Sequence, residues 1–380
     1  MEPGLYYQPM DTDSYSTWLE IDLGAVKNNI RQLGRITGGE VMAVVKANGY
    51  GHGAVPVAQA AVEAGLHWCG VGRIEEALAL RKAGLDCEIL VMGYTPVAGI
   101  PEAINQNVTV TVYDLEQAEQ YAWRAQSAKK NLRIHVKVDT GMGRLGVMAH
   151  EAYPFIRRMS ELNGLQLDGI FTHFARADEP YIPLTGEQVG RFVDLLERLR
   201  SDGLCPPLVH AANSAATINF PNAYFNLVRS GIAIFGLNPS DEAVLPAGFK
   251  PALSWKARLT SVKTFPPGHG ISYGSIYTTK KTEKIGTIPV GYADGFRRVN
   301  QQEVLLFGHR VSVVGRVCMD QSALQLDGIP EARIGDEVVL LGCQGEARIT
   351  AEEIGKRWHT VNYEVVCGLA SRLPRLYTSS

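Results

Sequence analysis

Short apolar runs alternate with stretches of helical period through the first 250 or so residues of the chain. The runs at 41–45, 68–71, 89–92, 108–112, 132–138, 167–171, 208–211 and 225–228 read as eight strands buried on both faces. Amphipathic segments separate them, such as 74–83 closed by Gly84 and 188–202 closed by Gly203. Glycine just past the last turn is the expected helix stop. Strand and helix in strict alternation predict an α/β fold, a (β/α)8 TIM-type barrel. A doubly wound open sheet is the rival, but no Gly-x-Gly-x-x-Gly fingerprint follows an early strand. Ahead of the first helix, residues 18–22 alternate like a half-buried strand, and Asp22 is placed to cap a helix with Val26, Ile30 and Leu33 on one face. Beyond residue 248 the rhythm changes to short strands at 253–264, 284–289, 304–307, 310–317 and 337–341, with one clear helix at 351–358. The expected organisation is a polar N-terminal leader at 1–17, a barrel at 18–248 and a mostly β C-terminal domain at 249–380.

Composition narrows the class. Hydrophobic residues at 46% and charged residues at 20% suit a soluble globular protein with ample core. A net charge of −2 without a basic cluster argues against nucleic-acid binding. The six cysteines never form a Cys-x-x-Cys pair, which favours reduced thiols over disulfides or a metal site. The leader has no apolar core like that of a signal peptide, and no run reaches membrane-spanning length, so a cytoplasmic protein is expected.

The candidate chemistry lies where the strands end. The first run closes on Lys46 and breaks into a loop holding Gly49, Tyr50, Gly51 and Gly53. A lysine that leaves water loses basicity and becomes a nucleophile suited to an aldehyde, although a lysine can also snorkel out of a strand end. The fifth run carries Lys137 and leads to Arg144, the sixth ends at His173, the seventh at Asn213 and Ser214, the eighth at Arg229, Gly231 and Ile232. In a barrel these ends share one mouth. Loops after the last two strands commonly bind phosphate, so a phosphate beside a reactive lysine suggests pyridoxal 5'-phosphate held as an aldimine on Lys46. Arg229 would face the pyridine nitrogen, and a guanidinium that stays protonated leaves that nitrogen only an accepting role. Singly, each residue has an ordinary explanation: a helix cap for Ser214, a tight turn for Gly231, a core histidine for His173.

The stretch Val45-Lys46-Ala47-Asn48-Gly49-Tyr50-Gly51-His52-Gly53, the block from Lys137 to Gly146, and the blocks Ile271-Ser272-Tyr273-Gly274, Gly291-Tyr292-Ala293-Asp294-Gly295, Gly315 to Gln321 and Asn362-Tyr363-Glu364 together resemble the alanine racemase family over nearly the whole chain. The resemblance implies a homodimer with shared active sites and a two-base reaction, with Lys46 on the D-alanine face and Tyr273 of the other subunit on the L-alanine face. A phenol is a weak base at its usual pKa of about 10, so a supporting histidine–arginine relay is implied, which His173 would fit as well as it would fit stacking on the cofactor's pyridine ring. It further implies that Arg144 touches the cofactor's phenolic oxygen and, with the Met319 backbone N–H of the other subunit, binds the substrate carboxylate. Lys137 stands where the family often carries a carbamate, with an ordinary ion pair as the alternative. Tyr50, Ser214, Gly231, Ile232 and Tyr363 would hold the phosphate. Asp178, Tyr292, Arg298 and Arg316 would line an access corridor, which Tyr273 and Tyr363 narrow to a small side chain. Phe235 departs from the family's more usual tyrosine.

Three other readings compete. A broader serine/alanine racemase would share every motif. A barrel-type decarboxylase of basic amino acids would want a carboxylate, not Arg229, at the pyridine nitrogen. A cofactor-handling barrel without catalysis would lack the β domain and Tyr273.

Overall fold

The computed structural model describes residues 12–379; most of the leader expected at 1–17 lies outside them. The described chain divides into two compact units, one from Val26 to Lys250 and the other joining residues 12–25 to residues 251–379.

The first unit is the barrel. Its strands are Glu40–Val44, Trp68–Val71, Glu88–Val91, Thr109–Val112, Leu132–Asp139, Leu165–Phe171, Leu208–His210 and Leu227–Ser230. Each pairs in parallel with the next, and the eighth returns to the first with Arg229 opposite Met42. Closure leaves no sheet edge. These strands are buried along nearly their whole length, as mainly apolar or β-branched runs in a parallel sheet are expected to be. Met42, Trp68, Leu90 and Leu227 fill part of the barrel's interior. Beside Trp68, the Arg133 guanidinium stacks on the indole and bonds Glu88 and Asp168 at 2.5 Å each, so the buried end of its side chain is paired.

The second unit is built on a ten-stranded sheet, largely antiparallel. Two expectations change here. Residues 18–22, assigned to the barrel segment, form the strand Thr17–Asp22, which pairs with Leu253–Arg258 and Arg375–Thr378. Its half-polar alternation is that of an antiparallel sheet with one wet face and differs from the barrel's apolar runs. Residues 253–264 form two strands, Leu253–Arg258 and Ser261–Phe265, which lie apart in the sheet order. The strand Ser322–Gln325 and the short helix Asn362–Cys367 were not foreseen. Among the described residues no helix is long and apolar enough to cross a membrane, and no group of His, Cys, Asp or Glu is arranged to hold a metal ion.

Candidate active site

At the C-terminal mouth of the barrel, Lys46 is half-buried just past the first strand. The four residues after it run in the left-handed region, with φ of 51° at Ala47, 53° at Asn48, 61° at Gly49 and 52° at Tyr50. Outside glycine such backbone costs about 1–2 kcal/mol per residue, somewhat less for asparagine. Strain of this kind persists only where the surroundings impose it, and it concentrates at functional sites. The turn folds Tyr50 back into the barrel, where it is buried against Phe235. His52 stacks on the same ring at 4.1 Å, so the departure at Phe235 supplies a packing platform.

Arg229 is buried, with no carboxylate partner among the described residues. Nη2 faces the Thr172 and Ala211 carbonyls at 2.8 and 2.9 Å and His173 Nδ1 at 3.3 Å, while Nη1 donates to His210 Nδ1 at 2.9 Å. A guanidinium can only donate, so His210 Nδ1 accepts and that ring carries its proton on Nε2, while the two Nη2 hydrogens go to the carbonyls and His173 only borders the group. His210 Nε2 then donates to His135 Nδ1, 2.9 Å away. His210, backed by His135, and the two carbonyls therefore set the orientation of the guanidinium. Burial, and then the charge of Arg229, hold His173 and His210 well below the ordinary histidine range. Burial, with Arg133 and Arg229, takes His135 down to about 3. Burial alone lowers Arg229 to about 9, which leaves it charged at neutral pH.

Lys137 points into the same space. Burial chiefly, then Arg229, Arg144 and Lys46, lower its ammonium to about 8, and Asp139 offsets this only in part. The Arg144 loop is fixed by Asp139: Oδ1 accepts the Gly141 and Met142 N–H groups at 2.8 Å, and Oδ2 those of Gly143 and Arg144 at 2.8 and 3.2 Å. The field of Lys46, Lys137, Arg144 and Arg229 is felt together at His173. The strand ends themselves meet there: Thr140 Oγ1 and Thr172 Oγ1 are 2.7 Å apart, Ser214 Oγ and Ser230 Oγ 3.2 Å, and Arg229 reaches the Thr172 and Ala211 carbonyls.

The last two strand ends form a small cradle. Ser214 Oγ accepts the Gly231 and Ala233 N–H groups at 3.0 and 3.3 Å. Asn213, expected beside the cofactor, caps the helix Ser214–Asn219 through its side chain, which accepts from the Ala216 N–H at 2.9 Å. A Cβ at Gly231 would lie 2.4 Å from the Tyr50 hydroxyl, so only glycine lets the two meet. Ile232 opens the 3-10 turn that follows. Asp178 lies in the loop after the sixth strand, its carbonyl accepting from Ser240 Oγ at 2.9 Å.

The other predicted residues belong to the β unit. Tyr273 is 69% and Met319 54% exposed, and with Cys318 and Asp320 they line a cleft of about 640 Å³. Ser272 Oγ donates to the Arg316 carbonyl at 2.6 Å, and Tyr292 N–H to the Cys318 carbonyl at 3.0 Å, which ties three of the sequence blocks into one corner. Arg298 and Arg316 are exposed, and Tyr363 is half-buried on the helix Asn362–Cys367.

Sequence reasoning missed His135, His210 and the carboxylates of Glu76 and Asp139. The available signal was a histidine within each of two barrel strands, at the end of a short apolar run in the seventh and among alternating charges in the fifth.

Residues 21–239 match the alanine racemase N-terminal domain and residues 252–377 the alanine racemase C-terminal domain. The chain belongs to the alanine racemase family. It is 45% identical over 372 residues to the alanine racemase of Symbiobacterium thermophilum, covering 97% of this chain and 99% of that one. The alanine racemase of Desulfovibrio desulfuricans is 43% identical, with 95% and 97% covered. Among solved structures, that of the Bacillus anthracis alanine racemase with bound L-Ala-P superposes with a TM-score of 0.91 at 39% identity, covering 98% of this chain and 96% of that one. That of the Streptomyces coelicolor alanine racemase gives 0.92 at 39%, covering 97% and 100%.

The family depends on pyridoxal phosphate, and this chain's own residues fit it. The Gly231 cradle would be filled by a single extra carbon, Ser214 and backbone N–H groups line it, and a guanidinium without a carboxylate partner stands at the base of the mouth.

Proposed function

We propose that the protein interconverts L-alanine and D-alanine with pyridoxal phosphate, as a homodimer whose sites draw on both copies. The observation that carries this is the buried Arg229 guanidinium at the barrel mouth, bonded to Thr172, Ala211 and His210 and sharing the Phe171 ring with the Lys137 ammonium at 5.2 and 5.4 Å, with Lys46 half-buried at the end of the first strand. Bound there, the cofactor would supply an electron sink that acidifies the proton on the substrate's α-carbon. Lys46 would hold the cofactor's aldehyde carbon and move the proton at its Nζ on one face. Tyr273 of a second copy would move it at Oη on the other; its exposure in the single chain is consistent with a surface awaiting cover. Tyr50, Ser214, Gly231, Ile232 and Tyr363 would hold the phosphate. Arg229 would donate to the ring nitrogen with N–H capacity left over by its present partners.

Arg144 and the Met319 N–H of the second copy would bind the substrate carboxylate. Lys137, lowered to about 8, offers a neutral amine to carbon dioxide. The carbamate would form with loss of a proton and replace a cation facing three others by an anion that orients Arg144. Asp178, Tyr292, Arg298 and Arg316 would guide the anionic end of an amino acid inward, with Tyr273 and Tyr363 admitting a methyl group and excluding longer chains. The test is incubation of the purified protein and cofactor with L-alanine, with L-serine and L-lysine as controls. D-alanine should accumulate to an equimolar mixture, and its absence would overturn the reading.

A further inference from the structure

We propose that Glu76 is the positioning residue of Lys46, its carboxylate holding the left-handed turn that aims the amine into the mouth. This rests on the role proposed for Lys46. Glu76 lies in the helix Ile74–Lys82, just after the second strand. Its Oε1 accepts the Ala47 N–H at 2.6 Å, and its Oε2 accepts those of Gly72 and Arg73 at 2.7 and 3.1 Å. One carboxylate thus fastens the ends of two neighbouring barrel strands. A Cβ built on Gly72 would lie 3.4 Å from Glu76 Oε2, and 3.7 and 3.8 Å from Lys46 Cβ and Cδ, so the lysine stem and the carboxylate flank the same spot.

All three partners are donors, which suits a group that only accepts. An amide in its place would turn a donor toward a donor. The hydrogen bonds inside the turn, Gly49 N–H to the Val45 carbonyl at 2.8 Å and Gly51 N–H to the Ala47 carbonyl at 3.0 Å, close it locally. Glu76 holds it from outside, at Ala47, the first residue with positive φ. A mere helix cap would need only the contact to Arg73. The bond to Ala47 is the surplus that points to the lysine.

Glu76→Asp separates the two roles. The shorter side chain still caps the helix start but falls short of Ala47. In cofactor-free protein, borohydride-fixable capture of pyridoxal phosphate on Lys46 should slow roughly tenfold or more, the scale of one lost charge-assisted hydrogen bond. In the loaded enzyme, kcat should fall similarly while KM for alanine stays within about threefold. Adding Ala47→Gly should restore most of the loss, because glycine adopts positive φ freely. Wild-type kinetics in Glu76→Asp would overturn the proposal. So would a loss that Ala47→Gly leaves untouched, since that is the behaviour of a helix cap. Wild-type protein that fixes no cofactor on Lys46 would remove the function itself, a failure visible before any variant is made. If Glu76→Asp does not fold, Glu76→Gln with the same partner substitution decides by the same readouts.

Discussion

Lys46 and Tyr273 stand beside similar backbone in opposite surroundings. Residues 47–50 have φ between 51° and 61°, and around Tyr273 the values are 62° at Ser272, 73° at Gly274 and 45° at Ser275. The Lys46 turn is partly sunk in the barrel mouth, with Gly49 and Tyr50 buried and Glu76 fastened to Ala47. The Tyr273 turn presents its ring to solvent. In the barrel, exclusion of water already lowers Lys137 and keeps the histidines neutral within one chain. An exposed phenol gains nothing of the kind until another surface covers it. On the proposed dimer the first site is prepared in advance and the second is completed by assembly.

Tyr273→Phe tests that contrast with the largest effect. Removing one base should slow release of the α-proton from L-alanine by about 10²–10⁴-fold, the usual worth of a positioned acid or base. Release from D-alanine, assigned to Lys46, should fall far less. Isotope exchange into each enantiomer in deuterated water measures both. Equal losses would end the assignment of one base to each face.

How much of this was legible follows the same divide. Parallel strands buried on both faces leave long apolar runs, so all eight barrel strands could be read. Their ends blur where an interior polar residue interrupts the run: the eighth was expected at 225–228 and is Leu227–Ser230, because Arg229 looks like an exit. The left-handed turn was illegible because Ala47 and Tyr50 are not residues that announce positive φ. His135 and His210 each look like a core histidine, and their contact needs the fifth and seventh strands to be brought near each other by closure. In the β unit no glycine or proline marks the break at Leu259 and Thr260, so two strands read as one. The chemistry-bearing blocks were visible through resemblance, but a one-dimensional reading does not say that Asn213 caps a helix while Ser214 faces the cradle.

Gly231→Ala tests how tightly the prepared site is built. The added methyl would sit 2.4 Å from the Tyr50 hydroxyl, which is buried and has little room to retreat. Overpacking of this kind costs about 1–3 kcal/mol, so pyridoxal phosphate should bind about 10- to 100-fold more weakly by titration. Tyr50→Phe in the same background should recover part of that loss. Unchanged affinity would mean that the cradle is looser than its geometry implies.

The last test concerns stability, not rate or binding, and separates the units by pH. His135, His173 and His210 are enclosed in the barrel mouth or interior and held below their ordinary range, whereas His269, His309 and His359 of the β unit are exposed. Below about pH 6.5 the unfolded chain takes up protons that the three barrel imidazoles refuse, so the free energy of unfolding falls as the solution is acidified. Each histidine contributes a slope of up to about 1.4 kcal/mol per pH unit, and three together about 4. For His135 the loss continues down to about pH 3. Denaturant unfolding between pH 6.5 and 4.5, ahead of most carboxylate titration, should show this slope. His135→Gln keeps an acceptor for the His210 N–H and removes one titrating group, so the slope should shrink by about one proton, roughly 1.4 kcal/mol per pH unit. A wild-type slope below one proton, or one that His135→Gln leaves unchanged, would mean that the rings accept protons inside the folded barrel. Arg229 would then face imidazolium where the hydrogen bonds require an acceptor.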